Sequence, residues 1–318
     1  MNYMIPYNIK TRFFGGRLLN QLIALKNLNL KYKKSDLAKY IYKLLRKKYW
    51  LGKKSIEYSD IVEIVWNKLI FENNNTGEIN LRGIRFVNDN ALISEYTEIF
   101  LCDFFEDFSM FEGEKLIAAQ LLPLFTKDGP YQYEKVLLKS GDIVVDAGAN
   151  IGVFSIFAIS KGVDKVYAFE PEKNALQLLE KNIDLNNSND NISIQPFGLS
   201  DRTQDEELIS DPLTGHIAAS IIRPKLINTL SEVIQCITLD EWVRENKVDR
   251  IDFIKADIEG AERKMLQGAT NVLKVFAPRL AICTYHLDDD PEVLEKIIID
   301  ANPKYKIKHF GNKLFATV

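Results

Sequence analysis

From Val136 onward, apolar runs fall alternately at strand and helix spacing, and no other feature restricts the fold as much. Ile143–Val145 reads as a strand, Phe154–Ile159 as a short helix and Val166–Phe169 as a second strand. Leu176, Leu179 and Ile183 mark one face of a helix, and Ile192–Pro196, Phe253–Ile258 and Leu280–Cys283 are further strands. Strands separated by helices pair in parallel, with the helices covering both faces of the sheet. The expected class is therefore α/β. The end of the chain departs from the rhythm. Tyr305–Phe310 and Lys313–Val318 flank Gly311-Asn312, which predicts a two-residue turn and an antiparallel hairpin closing the sheet.

Upstream, residues 1–80 read as a helical, basic extension. Leu37, Tyr40, Ile41, Leu44 and Leu45 form one stripe, and Ile61, Val62, Val65, Trp66 and Leu69 form a second. Residues 81–135 read as a mixed connecting region, with a strand at Gly83–Val87, a helix at Ser94–Phe108 and a Gly-Pro turn before Tyr131. The third region is 136–318. Residues 1–54 hold 14 Lys/Arg against the single acid Asp36, near +13, while the rest has 27 basic and 43 acidic residues, near −16. Such an arm suits the acidic body itself or an anionic membrane surface, and nucleic acid less well. Cys102, Cys236 and Cys283 are scattered and form no CxxC pair, so they read as buried thiols rather than a disulfide or zinc framework. No apolar run reaches membrane-spanning length and no signal core opens the chain, so the expected location is cytoplasmic, with a peripheral membrane position as an extension of it.

The stretch IVVDAGANIG, Ile143–Gly152, ends an apolar strand in an acid and two glycines. In an open parallel sheet that is where a nucleotide-like ligand binds. The next acid, Glu170, closes the second strand and is placed to accept from both hydroxyls of a ribose. A nicotinamide dinucleotide would want the same acid, but the positions matching GxGxxG read Gly148, Asn150 and Val153, so the pyrophosphate fingerprint is broken. S-adenosylmethionine has no pyrophosphate and fits this turn better.

Asp146-Ala-Gly-Ala-Asn-Ile-Gly152, Phe169-Glu170-Pro171 and Ile254-Lys-Ala-Asp-Ile-Glu-Gly-Ala-Glu262 together resemble the FkbM-type methyltransferases, over roughly residues 128–318. The resemblance implies a class I methyltransferase, Rossmann-like, mainly parallel sheet, to which the N-terminal helical extension is added. It implies S-adenosyl-L-methionine as cofactor and methylation of hydroxyls on sugars, lipid-linked glycans or polyketide-like natural products. Carried onto this chain, it gives the cofactor to Tyr131, Asp146, Gly148, Ala149, Asn150, Gly152, Glu170, Pro171, Leu199 and Ser200. Asp257 and Glu259 follow the strand beside the methyl group. His286 is the first candidate for the base that takes the acceptor's proton and Asp257 the second.

His286 with Asp257, Glu259, Asp288, Asp289 and Asp290 also offers hard-metal ligands, but acids beside Pro291 read more simply as a solvated helix start, and no metal is assigned. Thr238 and Glu241 form a capping box with no chemistry. Lys255 reads as a lysine that runs along the sheet to an acid. Residues 201–236 interrupt the rhythm and are expected to wall the acceptor site. Two other classes of function stand beside the enzyme reading: a dinucleotide-dependent oxidoreductase, and a non-catalytic assembly protein on a methyltransferase body.

Overall fold

The central strand, β3 (Ile143–Ala147), is built from Ile, Val, Val, Asp and Ala, and all but its first residue are buried. A strand so apolar on both faces belongs in the middle of a parallel sheet, where helices cover each side. The structure is a computed structural model that describes residues 78–81, 84–87, 131–210, 219–222, 224 and 229–318.

Seven strands form the main sheet. In chain order they are β3, β4 (Lys165–Phe169), β5 (Ile192–Gln195), β9 (Phe253–Ala256), β10 (Arg279–Cys283), β11 (Lys306–Phe310) and β12 (Lys313–Thr317). Their spatial order is β11-β12-β10-β9-β3-β4-β5. The five from β5 to β10 are parallel, and β12 runs antiparallel between β10 and β11. This is the class I methyltransferase sheet, with the reversed strand where the Gly311-Asn312 signal predicts it. Phe310 pairs with Lys313, and Gly311 has φ 59°, which suits the first central position of a two-residue hairpin turn.

Helices fill the crossovers. α1 (Val153–Ser160) is apolar almost all round, as a helix buried on the sheet must be. α2 (Lys173–Leu185) buries Ala175, Leu179, Asn182 and Ile183 on one face and is capped by the Glu172 carboxylate, which accepts from Ala175 N–H. α3 (Leu239–Glu245) is capped by Thr238, whose hydroxyl accepts from Glu241 N–H. The reciprocal half of that capping box is taken over by Thr203, which accepts from Thr238 N–H and donates to the Glu241 carboxylate. α4 (Glu262–Gln267), α5 (Thr270–Val275) and α6 (Asp290–Ala301) complete the set.

Two smaller sheets were less visible in the sequence. β1 (Glu78–Leu81) pairs antiparallel with β2 (Ile84–Val87), so residues 78–80 are strand rather than part of the expected helical extension. This pair is tied to α2, where Asn182 Oδ1 accepts from Val87 N–H and Asn186 bonds both backbone groups of Arg85. β6 (Gly198–Leu199), β7 (Gln204–Ser210) and β8 (Leu230–Ile237) form a three-stranded sheet in order β6-β8-β7, and β7 and β8 come from the two ends of the stretch that breaks the rhythm. Cys236 and Cys283 are buried, as expected, and burial pushes the Cys236 thiol up to about 12. Among the described residues no helix is long and apolar enough to cross a membrane. The stripes in residues 1–77, the Ser94–Phe108 helix, Cys102, the turn ahead of Tyr131 and Asp211–His216 lie outside the described residues.

Candidate active site

Two parallel neighbours, β3 and β9, end side by side, since Ala147 is in register with Ala256. The chain leaving each strand therefore meets the other. Gly148 has φ 75°, and a Cβ there would sit 2.0 Å from the Asp257 carbonyl oxygen. Only glycine lets the two strand ends touch. Gly152 has φ 87°, and its missing side chain makes room for Leu179 of α2. The glycines are thus required by packing as well as by any ligand.

Between them the turn is held from below. Gly148 and Ala149 N–H both donate to Phe169 O at 3.0 and 2.9 Å, and Gly152 N–H donates to Ala149 O. Asn150, at φ 47°, donates its N–H to Glu170 Oε2 at 2.8 Å. The left-handed conformation costs a non-glycine residue roughly 1–2 kcal/mol, and the Glu170 bond holds it there. Glu170 Oε1 accepts from Glu172 N–H at 2.8 Å, across Pro171, which has no N–H to compete. Burial pushes the Glu170 carboxyl up to about 7, against the lowering effect of those two backbone donors. Asn150 Oδ1 is buried without a hydrogen-bond partner.

Asp146 lies wholly beneath the turn. It accepts from Ser155 at 2.7 Å and pairs with Lys255 Nζ at 3.0 Å, both partners being buried. Lys255 also donates to Gly148 O at 2.6 Å. The expected pairing of this lysine is realised, and Asp146 reaches a ligand only through the turn it supports. Leu199 packs in the main core, and Ser200 spends its hydroxyl on Glu206, which is held in turn by Lys264 at 2.8 Å. The structure does not bring the Ser200 side chain to the turn.

On the β9 side, Asp257 Oδ2 accepts from Tyr131 at 2.6 Å and Oδ1 from Tyr285 at 3.0 Å. Burial alone would raise its carboxyl, but Lys255, His286, Lys313 and the Tyr131 hydroxyl together hold it below the usual carboxylate range. Tyr131 thus lies against Asp257, and its ring sits under Lys313 Nζ at 4.3 Å. β10 neighbours β9, so His286 arrives beside Asp257. Its Nε2 is 3.7 Å from Asp257 Oδ1 and 3.6 Å from Glu259 Oε2, and its Nδ1 is 3.2 Å from Glu262 Oε1. Burial disfavours the imidazolium, but Glu262, then Asp257 and Glu259, push it up to about 9. A free base at neutral pH is therefore not what the histidine presents.

Three acids named beside it have other places. Asp290 is buried and Asp289 exposed, both paired with Arg263, so the helix start is bridged rather than simply solvated, and Asp288 is exposed. Glu262, Tyr285, Lys313, Ser220 and Ile222 were given no role from the sequence. Glu262 stands in the quoted third motif, and Tyr285 next to His286, which is the signal that pointed to them. Ser220 and Ile222 come from the interrupted stretch. Ser220 donates to Glu259 O at 2.6 Å, and Ile222 Cδ1 occupies the space a side chain at Gly260 would need. Glu259 itself is left-handed, at φ 53°.

With this geometry in view, comparison with known proteins is direct. The model of the methyltransferase FkbM domain matches residues 146–307, from the acid under the glycine turn to the closing hairpin. The chain belongs to the FkbM methyltransferase family. S-adenosylmethionine is the cofactor that goes with it, and the residues present fit that cofactor. A glycine cradle, an unsatisfied buried Asn150 amide oxygen and a strand-end carboxylate line one turn. Among curated proteins, the chain is 29% identical over 160 residues to the hexuronic acid methyltransferase AglP of Haloferax volcanii, covering 50% of this chain and 62% of that one. It is 26% identical over 200 residues to the ribosomal protein L11 methyltransferase of Streptococcus agalactiae, covering 59% and 58%. The matches span less than two thirds of either relative. Among solved structures, a methyltransferase FkbM from Methylobacillus flagellatus KT aligns with TM-score 0.43 and 22% identity, covering 73% of this chain and 63% of that one.

Proposed function

We propose that this FkbM-family protein transfers a methyl group from S-adenosylmethionine to a hydroxyl of a sugar or lipid-linked glycan. The observation that carries the reading is the contact between the Gly148 turn and the Asp257 carbonyl, which sets a donor-binding turn against an acidic, tyrosine-lined strand end. When bound, the cofactor supplies an activated methyl group. The chain supplies position and proton management. Glu170 would grip the ribose and Asn150 the amino-acid end. Asp257, first beyond β9, takes the acceptor's proton in this reading, while His286, behind it among three carboxylates, positions it. This reverses the order that the sequence suggested for the two.

A sugar acceptor is supported by the hexuronic acid methyltransferase relative and by Tyr285, a partly exposed ring beside Asp257 of the kind that packs on sugar faces. The near +13 arm of residues 1–54 supports an acceptor held at an anionic membrane on the cytoplasmic side. Purified full-length protein should label a glycolipid or polysaccharide extract from radioactive S-adenosylmethionine. Labelling confined to a protein fraction would overturn the acceptor assignment. Unchanged cofactor affinity in Glu170→Ala would overturn the donor site.

A further inference from the structure

Beyond β9 and β10 the described residues hold one group of ligand-type side chains close enough to share an ion: Asp257, Glu262 and His286, with one ligand atom from each within 4.8 Å of the others. Proximity of acids alone would carry nothing. Here the side chains are also left wanting. Glu262 is fully buried, its Oε1 accepts from Ile258 N–H, and its Oε2 makes no hydrogen bond. The His286 side chain is 8% exposed. Its nitrogens lie within charge–charge range of carboxylates, yet neither completes a hydrogen bond. Buried polar atoms are nearly always satisfied in folded proteins, so the unmet His286 nitrogens and Glu262 Oε2, on side chains that touch at 3.2 Å, call for a partner that accepts lone pairs.

We propose that Asp257, Glu262 and His286 bind a single divalent first-row metal ion, with Glu259 at its edge. One imidazole with carboxylates suits Mn²⁺ and its borderline neighbours better than Ca²⁺, which prefers all-oxygen shells, or thiophilic ions. Metal–ligand bonds of about 2.0–2.2 Å keep the ligand atoms of one ion within roughly 4.4 Å of one another, so a group already inside 4.8 Å closes on an ion with small side-chain movements. The fold provides the supports that such a site needs. Ile258 N–H fixes Glu262, Tyr131 and Tyr285 fix Asp257, and Ser220 holds the Glu259 turn. The role of the ion rests on the methyltransferase reading, in which it would bind the acceptor oxygen beside Asp257. Its binding does not rest on that reading.

The test uses full-length protein stripped with a chelator and titrated with Mn²⁺, with bound ion counted by electron paramagnetic resonance. One ion per chain is expected, showing a ¹⁴N coupling from an imidazole. Removing an outer-shell partner typically weakens a metal site roughly 10–100-fold, and His286→Ala and Glu262→Gln should each weaken binding at least that much. The exposed Asp288→Asn and His309→Ala should leave it unchanged. The nitrogen coupling is read on the unaltered protein, so a variant that fails to fold does not remove the test. No bound Mn²⁺, bound Mn²⁺ without the coupling, or affinity indifferent to both variants would overturn the site. Methyl transfer by demonstrably metal-free protein would overturn the ion's role and leave the proposed function standing. A bound ion without any methyl transfer would overturn the proposed function, and the ion's role with it, and leave the site standing.

Discussion

At the glycine turn the backbone donors and the buried acid are met from within the chain, and the Asn150 amide oxygen is left for a ligand: Phe169 O takes two N–H groups, Glu170 takes those of Asn150 and Glu172, and Lys255 pairs with Asp146. Across the Gly148–Asp257 contact the balance reverses. Three carboxylates face one imidazole, and His286 and Glu262 Oε2 complete no hydrogen bond. The first region is tied down by bonds of its own. The second holds charge that a proton, an ion or an acceptor must answer. Under the proposed function that division is useful, because a fixed donor side provides alignment while the other side answers the acceptor.

Breaking the tied-down half should cost most. Lys255→Met leaves Asp146 buried without its cation, and loss of one partner of a buried pair typically costs about 3–5 kcal/mol. Denaturant unfolding should show a loss of that order. A loss below 1 kcal/mol would mean that the pair does not hold the turn.

Gly148→Ala should come next. The added methyl meets the Asp257 carbonyl in a left-handed conformation, so overpacking of about 1–3 kcal/mol adds to backbone strain. Cofactor binding should be lost in calorimetry. Gly141→Ala is the control: it has a similar φ of 82° but only one neighbour, Asp164, at 3.8 Å, so strain alone should remain and binding should be unaffected.

Glu170 sharpens the comparison through pH. Its folded value, about 7, lies above the ordinary glutamate value of 4.5, so its contribution to stability is present below that lower value and lost as pH rises through 7. Cofactor-free protein should therefore melt lower at pH 8 than at pH 5 by this contribution, and Glu170→Gln should flatten the trend. Cofactor binding runs the other way, because a ribose diol favours the carboxylate. Affinity should rise about tenfold from pH 6 to 8, with proton release seen by calorimetry in two buffers. An identical pH dependence in the Gln variant would remove Glu170 from the donor site.

The smallest effect is expected on the responsive side. Tyr285→Phe removes one donor to Asp257 at a partly exposed position, so stability should move by no more than about 0.5 kcal/mol. Cofactor affinity should hold, while methyl transfer falls several-fold. A matching loss of cofactor affinity would show that the two halves are not separable.

Much of this was legible in residue order. Apolar runs such as Ile143–Val145 announce buried strands, Gly311-Asn312 announces the hairpin, and Glu170 follows its strand at once. What was hidden depends on register. Glu262 and His286 meet because β9 and β10 are neighbours and a left-handed Glu259-Gly260 turn folds the chain back, and neither fact is written in local spacing. β7 and β8 were missed because Gln204–Ser210 opens with exposed polar residues and Leu230–Ile237 leaves Leu230 and Val233 exposed, so the apolar alternation that marks a strand is weak. His286 looked like a base because a histidine near a hydroxyl acceptor usually is one. The carboxylates around it come from three other positions in the chain.

The seat that Gly260 leaves for Ile222 has a consequence for how such enzymes diversify. Among the described residues, Ile222 and the Ser220 hydroxyl bring the stretch between β7 and β8 onto the Glu259-Gly260 turn, while the small sheet shares no strand with the main one. Exchanging residues 219–222 between relatives should thus re-tailor acceptor preference as a cassette, with donor handling carried over intact.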